Sequence, residues 1–196
     1  MITFFLFNIF CFLFICFYII VEGKSCKFNK NLIIEKHNDF RLKHNAKPIY
    51  WNKKLENASQ KEANLIKTNS DCILTSKQIN TNYFNFFVNN EIELAVNSWY
   101  EGINDYDFEL GVIKRNNNVF EFTQILWKTV ENIGCSTACC KTTGIFICKY
   151  DNYPNRPGYF SDNVGTIDTT FVFDDLIVEK ETNTNFSIYN KNTFYM

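Results

Sequence analysis

Residues 120–150 read FEFTQILWKTVENIGCSTACCKTTGIFICKY, and the pattern of this stretch decides the fold. Segment 120–129 mixes aromatic and apolar residues in an order that predicts a strand turning into a helix. Segments 133–140 and 144–150 predict two strands, and the residues KTTG at 141–144 predict a hairpin turn between them. This part of the chain therefore predicts an antiparallel sheet.

Three segments upstream have helical periodicity. The first helix is predicted over 32–43, the second begins at Asn52 as N-cap, and the third covers 91–103. The buried positions of the last two helices are predicted to be Leu55, Ala58, Glu62 or Ala63, Ile66, Ile92, Ala95, Val96 and Trp99. Segments 68–90 and 109–118 are predicted to be irregular. Helices that precede strands without a βαβ rhythm predict an α+β fold.

Composition limits the functional classes. The chain has 196 residues, of which 17% are aromatic and 21% charged, enough for one folded domain with attachments and too apolar for global disorder. A net charge of −1 predicts no nucleic-acid binding. Both histidines, His37 and His44, fall in or near the first helix at a spacing that a helical zinc pair does not use. The simplest interpretation is two polar helix positions.

The N-terminus resembles a secretory signal. Residues 2–21 form an apolar run, and Val21 and Gly23 suit cleavage before Lys24. The alternative is an uncleaved anchor, because about 20 apolar residues can span a bilayer. Cleavage predicts a secreted chain with no membrane span.

Cysteines support the same compartment. Six remain after residue 23, and three disulfides are expected in preference to zinc: Cys26, Cys72, Cys135, Cys139, Cys140 and Cys148. If the hairpin centres on 142–143, residue 137 lies opposite Cys148, and Cys135 and Cys139 share its face. Cys148 can then reach Cys135 or Cys139, and Cys140 must pair elsewhere, for example with Cys72 or Cys26. Two glycosylation sequons begin at Asn57, inside a predicted helix, and at Asn185 in the polar tail.

An ordered set of motifs points to one family. The motifs are HNDFR at 37–41, the isolated residue Trp51, AVNSWY at 95–100, FTQILWK at 122–128, FICKY at 146–150 and PN at 154–155. The residues that carry the likeness are His37, Asn38, Arg41, Trp51, Trp99, Phe122, Thr123, Gln124, Trp127, Cys148, Tyr150 and Asn155. This set resembles the CAP family, also called SCP/TAPS, with pathogenesis-related and venom allergen-like members. The resemblance implies a three-layer α-β-α sandwich with a central antiparallel sheet, and usually a secreted protein.

The resemblance also implies a cleft tetrad of two histidines and two glutamates that holds a divalent metal in many members. The corresponding positions here are Thr75, Asn82, Gly102, with Glu101 adjacent, and Glu121. We therefore expect no zinc site and no other cofactor. A buried Glu121 requires a partner or a raised pKa. Aromatic residues at 83–86 are expected to make the cleft more apolar.

These observations predict 1–23 as signal peptide, 24–31 as an N-terminal arm, 32–164 as the CAP domain and 165–196 as a partly disordered extension with one further strand over 171–179. The expected function is non-enzymatic recognition of an extracellular protein, in interaction with a host or the environment. The alternative is a lipid or sterol carrier, which needs an apolar cavity of about 300–1,000 Å³ lined by residues 83–87 or by the helices. A metal-dependent hydrolase would need ligands that converge near Thr75, Gly102 and Glu121.

Overall fold

The computed structural model describes residues 26–87, 92–113 and 119–168. The signal peptide, Asn185 and the strand expected over 171–179 lie outside these residues. The elements are α1 (Lys30–Lys43), β1 (Tyr50–Trp51), α2 (Lys53–Ser70), β2 (Thr81–Phe87), α3 (Leu94–Tyr100), a 3-10 helix (Glu101–Asp105), β3 (Tyr106–Asp107), β4 (Val112–Ile113), α4 (Val119–Leu126), β5 (Asn132–Cys139), β6 (Thr143–Tyr150) and α5 (Phe160–Asn163).

The central sheet has the strand order β1-β5-β6-β2. Its three long strands are antiparallel, and the two-residue β1 pairs parallel with β5 at the edge. Alternate residues of β6 enter two different cores: Ile145 and Ile147 pack with Ala63 of α2, whereas Phe146 and Tyr150 pack with α1, α3 and α4. Helices therefore cover both faces, and the predicted α+β three-layer sandwich is confirmed.

Helix α2 lies unusually close to β5 because Gly134 has no side chain. A Cβ at Gly134 would overlap the backbone of Glu56, and Ser59 Oγ donates to Gly134 O at 2.6 Å. Asn52 caps the helix as predicted, accepting from the backbone N–H of Lys54 at 2.9 Å. The predicted buried stripe is wrong at Ala58, which is exposed, because Ser59 occupies the contact with the strand.

Helix α4 corrects the prediction that segment 120–129 begins as a strand and then turns into a helix. All of Val119–Leu126 is helical, and seven of its eight residues are buried. Glu121, Thr123 and Gln124 are buried among the apolar residues of this helix, so its sequence lacks the 3.6-residue period of a helix with one apolar face. Its C-terminal carbonyls, which lack intrahelical partners, are bound by Arg41: Nη1 donates to Ile125 O at 2.8 Å and to Trp127 O at 3.0 Å.

Other elements differ from the prediction in type or in length. Segment 68–90 was expected to be irregular, but Thr81–Phe87 forms β2 along β6. The short strands β3 and β4 replace part of the loop expected over 109–118, and the third helix is shorter than predicted, with a 3-10 turn after Tyr100. The arm at 24–31 is partly helical, because α1 begins at Lys30.

The hairpin register also differs from the prediction. Cys135, and not residue 137, lies opposite Cys148, because the turn centres on Lys141 and Thr142 and the backbone N–H of Cys140 donates to Thr143 O at 2.8 Å. Three disulfides result: Cys26–Cys139, Cys72–Cys140 and Cys135–Cys148, with Cα atoms 5.7, 6.0 and 4.1 Å apart. They join the N-terminal arm, the segment after α2 and the hairpin.

Replacing Arg41 with Met should destabilise the fold severely. Arg41 is fully buried and donates four hydrogen bonds to backbone carbonyls, and each carbonyl left without a partner costs about 1–3 kcal/mol. We expect a loss of at least about 3 kcal/mol in urea unfolding under oxidising conditions. The control Arg156→Met removes an exposed guanidinium that stacks on Tyr159, and it should cost less than about 1 kcal/mol. Equal losses in both variants would contradict this role.

The buried His37 should make the free energy of unfolding decrease as the pH falls. Burial lowers the pKa of His37 from 6.5 to about 4. Below pH 6.5 the unfolded chain binds a proton at this residue, whereas the folded chain stays neutral until about pH 4. The stability that the neutral, buried His37 provides above pH 6.5 is therefore lost as the pH falls towards 4. The free energy of unfolding decreases by about 3 kcal/mol in total.

Urea unfolding at a series of pH values between 7 and 4 measures this effect. His37→Gln should be less stable at pH 7 and should lose less free energy of unfolding on acidification than the unchanged protein. Parallel profiles for the two proteins would show that His37 is not buried in its neutral form.

Candidate functional site

An open cleft of about 910 Å³ lies between α4, the segment that enters β2, and the loop around α5. Its apolar walls are formed by Ile79, Leu110, Phe120, Pro157 and Phe160. Two polar residues of α4, Glu121 and Gln124, also line it, one helical turn apart. Because α4 is enclosed by the core, it holds these two side chains rigidly at the cleft.

Glu121 is the buried charge of the cleft. It is 4% exposed, and its Oε1 accepts a hydrogen bond from Lys77 Nζ at 2.5 Å. Lys77 lies half exposed on the segment before β2. Glu121 Oε2 is buried and has no hydrogen-bond partner among the described residues. Lys77 is thus the partner that burial of this carboxylate requires.

A chain of hydrogen bonds connects the core to the cleft. Tyr150 OH lies 2.9 Å from His37 Nε2 and 3.1 Å from Asn82 Nδ2. Asn82 Nδ2 also donates to the backbone carbonyl of Glu121 at 3.0 Å, and Asn82 Oδ1 accepts from Gln124 Nε2 at 2.6 Å. Burial raises the pKa of the Tyr150 hydroxyl well above its usual value, so Tyr150 stays neutral. The chain joins α1, β6, β2 and α4.

A second ion pair holds the segment that carries Lys77. Lys149 Nζ lies 2.5 Å from Glu62 Oε2 and donates to Gln78 Oε1 at 3.0 Å. Tyr83 OH donates to Glu62 in turn, and burial together with that carboxylate raises the pKa of Tyr83. The expectation that residues 83–86 line the cleft is wrong, because Tyr83 is engaged here and Phe84 and Phe86 pack in the core.

The structure brings together two of the four family tetrad positions. Asn82 and Glu121 are in contact, whereas Thr75 is exposed before β2 and Gly102 is buried in the 3-10 helix, and neither lines the cleft. Glu101 is exposed. Sequence reasoning missed Lys77, although it lies two residues after the position where the resemblance places a histidine. The available signal was the need of a buried Glu121 for a cation.

These residues do not fit a metal. Zinc takes three or four N, S or O ligands, whereas one carboxylate occupies the tetrad positions and Lys77 already binds it. Within 26–87, 92–113 and 119–168, no group of three or more His, Cys, Asp or Glu side chains is arranged to hold a metal ion.

The remaining motif residues support the scaffold. Trp99 Nε1 donates to Tyr83 O at 3.0 Å, and Asn38 exchanges hydrogen bonds with the backbone of Ile49. Asn155 accepts from Thr123 Oγ1 at 2.5 Å and donates to Phe120 O at 2.8 Å, which fixes the loop beside the cleft. His44, also fully buried, follows the end of α1 and lies 2.8 Å from Tyr100 OH.

Three further motif residues lie in the core or at its edge. Trp51 Nε1 donates to Glu56 Oε2 at 2.7 Å, and Phe122 and Trp127 are fully buried. Asn57 is exposed on α2, whereas the hydroxyl of its sequon partner Ser59 is buried against Gly134. The described residues include no helix long and apolar enough to cross a membrane.

The family model named CAP, the cysteine-rich secretory protein family, matches residues 34–150, which is more than half of the chain. The chain belongs to the CAP family. CAP proteins are mostly secreted, have diverse roles and are generally non-enzymatic. Their α-β-α sandwich is the fold described above.

Individual relatives are distant. Human "Cysteine-rich secretory protein 3" is 28% identical over 139 residues, 63% of this chain and 57% of the relative. "Pathogenesis-related protein 1A1" of Solanum lycopersicum is 25% identical over 76% of this chain and 85% of the relative. The chain thus spans little more than half the length of the cysteine-rich secretory proteins that it matches.

Two solved structures share the fold. Venom allergen-like protein 4 of Schistosoma mansoni superposes with a TM-score of 0.54 at 22% identity, covering 70% of this chain and 94% of that one. The hookworm platelet inhibitor has a TM-score of 0.54 at 19% identity, covering 73% and 77%. At this level of identity the likeness concerns the fold alone.

Metal analysis tests the interpretation of the tetrad positions. We expect the purified protein to hold no stoichiometric zinc, and its melting temperature to be unchanged by a chelator, because Lys77 occupies the carboxylate of Glu121. Elemental mass spectrometry and thermal unfolding measure both quantities. One zinc ion per chain that is lost in Glu121→Ala would contradict the expectation.

Proposed function

We propose that this CAP protein is secreted, has no enzymatic activity and acts by recognising an extracellular protein through the face that contains the cleft. One observation carries the proposal. Ile79 and Leu110 border the cleft, and they are 74% and 72% exposed. Large apolar side chains gathered in solvent around one concavity are typical of interaction sites.

The polar groups of the cleft support binding in preference to catalysis. General acid–base catalysis needs a titratable group within hydrogen-bond reach of a substrate. Glu121 is paired with Lys77, and both histidines are fully buried away from the cleft lining. Among the described lining residues, Lys77 and Glu121 are the charged ones.

Secretion is supported by the cysteines. All six cysteines within the described residues form disulfides, and disulfides persist in oxidising compartments. The apolar run at 2–21 is consistent with export.

A lipid or sterol carrier is the alternative, and the volume of the cleft favours it. About 910 Å³ falls within the range of small-molecule sites, about 300–1,000 Å³, and the walls are largely apolar. Of the two linings expected for a carrier, residues 83–87 do not contribute, whereas helix residues do, among them Phe120 of α4 and Phe160 of α5. The open mouth of the cleft suits a protein surface better than an enclosed lipid.

A double substitution at the cleft tests the proposal. Ile79→Asp with Leu110→Asp should abolish retention of extracellular partners, because two carboxylates replace the apolar rim. Folding should be unchanged, since both side chains are exposed. The matched control, Leu42→Asp with Leu65→Asp, changes two residues that are 57% and 52% exposed on α1 and α2.

Proteins retained from the extracellular medium are compared by quantitative mass spectrometry. Partners retained by the unchanged protein and the control, and lost with the cleft variant, support the proposal. The same proteins retained by all three contradict it. Retention of labelled fatty acid or sterol that the cleft variant loses, without any retained protein, supports the carrier instead.

A further inference from the structure

We propose that the cleft receives a primary ammonium group from the partner, a lysine side chain within an apolar segment, which binds to Glu121 and Gln124 in place of Lys77. This inference rests on the proposed function and names the chemistry that the cleft recognises. It follows from three features of the cleft floor: a carboxylate already occupied by an ammonium group, a second acceptor with no partner, and apolar walls.

The first feature is the pair of Lys77 and Glu121. Lys77 Nζ lies 2.5 Å from Glu121 Oε1, so the carboxylate binds an ammonium group within this chain. The Lys77 side chain is 49% exposed, whereas that of Glu121 is 5% exposed. Lys77 therefore covers a fixed, buried carboxylate from the solvent side and regains water when it moves away. Glu121 does not have that freedom, because α4 is enclosed by the core.

The second feature is the carbonyl oxygen of Gln124. Gln124 is 3% exposed, and its Oε1 is buried with no hydrogen-bond partner among the described residues. Glu121 Oε2, on a residue one helical turn earlier, is also buried without a hydrogen-bond partner among the described residues. Two buried acceptors without donors are costly unless a ligand supplies the donors.

The orientation of Gln124 follows from the hydrogen-bond chain that begins at His37. His37 Nδ1 lies 2.7 Å from the carbonyl of Ile33, which only accepts, so Nδ1 carries the proton and Nε2 accepts from Tyr150 OH. Tyr150 then accepts from Asn82 Nδ2, which also donates to the Glu121 carbonyl.

Asn82 Oδ1 must consequently face Gln124 and accept from its Nε2. A flipped Gln124 amide would place two carbonyl oxygens against each other. The unpartnered atom of Gln124 is therefore an oxygen, and it calls for a donor.

The lining favours a cationic donor over an anion. Charge-assisted hydrogen bonds are about twice as strong as neutral ones, and Glu121 supplies the charge. Asn80 and Asn155 also line the cleft, and each donates one of its two amide N–H groups to a backbone carbonyl, that of Tyr150 or Phe120. A carboxylate or phosphate would face the acceptors Glu121 Oε2 and Gln124 Oε1, and it would have to take Lys77 from Glu121 to gain a cationic partner.

The apolar walls of the cleft indicate that the ammonium group belongs to a segment that also carries apolar side chains. The chain's own segment shows the arrangement, since Lys77 reaches Glu121 while Ile79, two residues later, lines the apolar wall. A partner segment with an apolar residue two positions away from lysine would reproduce this spacing. Leu110 and Phe160 supply the apolar surface across the cleft.

A peptide series tests the inference by calorimetry with the full oxidised protein. The probe is acetyl-Leu-Ser-Lys-Ser-Leu-amide, and its matched analogues carry norleucine or glutamate in place of lysine. We expect the lysine peptide to bind about tenfold more tightly than the norleucine peptide, and the glutamate peptide to bind weakest. Equal affinities for all three would overturn the inference.

Two substitutions should act in opposite directions. Glu121→Gln removes the charge with little change of shape and should abolish the preference for lysine over norleucine. Lys77→Gln removes the competing ammonium group and should raise the affinity for the lysine peptide several-fold. Lys61→Gln, on the exposed face of α2, is the matched control and should change neither. A lower affinity in Lys77→Gln would overturn the inference, because a purely structural Lys77 predicts that result.

Two further measurements distinguish a lysine side chain from a free amine, and distinguish failure of this inference from failure of the proposed function. Binding of octylammonium that depends on Glu121, without binding of the lysine peptide, would show a free amine as the occupant and overturn the partner segment. No binding of either probe would overturn the inference outright. If all peptides bind with equal affinity, and the double variant Ile79→Asp with Leu110→Asp binds none of them, the apolar cleft recognises the partner as proposed. The ammonium site would then be refuted.

Discussion

The guanidinium of Arg41 is the contact on which the rest of the scaffold depends. It is fully buried at the end of α1, and its four hydrogen bonds reach the carbonyls of Lys47, Ile125, Trp127 and Val130. Burial lowers the pKa of Arg41 to about 10, so it remains charged at neutral pH. Lysine carries three donors on a single nitrogen and could not form all four of these hydrogen bonds.

Because α4 is fixed in this way, the groups along it are fixed too. The chain from His37 through Tyr150 and Asn82 then orients Gln124, and Asn82 also holds the backbone at Glu121. A neutral, buried His37 is therefore both a stabilising residue and a determinant of the cleft. The cleft of this CAP protein presents a carboxylate paired with lysine at a position where other members carry metal ligands.

Much of the fold was predictable because it depends on local patterns. The cap at Asn52, the two strands of the hairpin and the need of Glu121 for a partner all follow from residues near one another or from simple electrostatics. Predictions failed where buried polar residues removed the helical period, as in α4, and where pairing with a distant strand made an expected loop into a strand, as in β2. The hairpin register failed by two residues because the turn lies earlier than its composition indicates.

The sequence by itself determined the family and the layer architecture, since both can be read from residue identity and order. Only the tertiary structure decided that Lys77 pairs with Glu121, that Cys26 pairs with Cys139, and that the cleft is walled by residues from four separate segments. These contacts join positions tens of residues apart, and their geometry is set by packing against a common core, which no local pattern records.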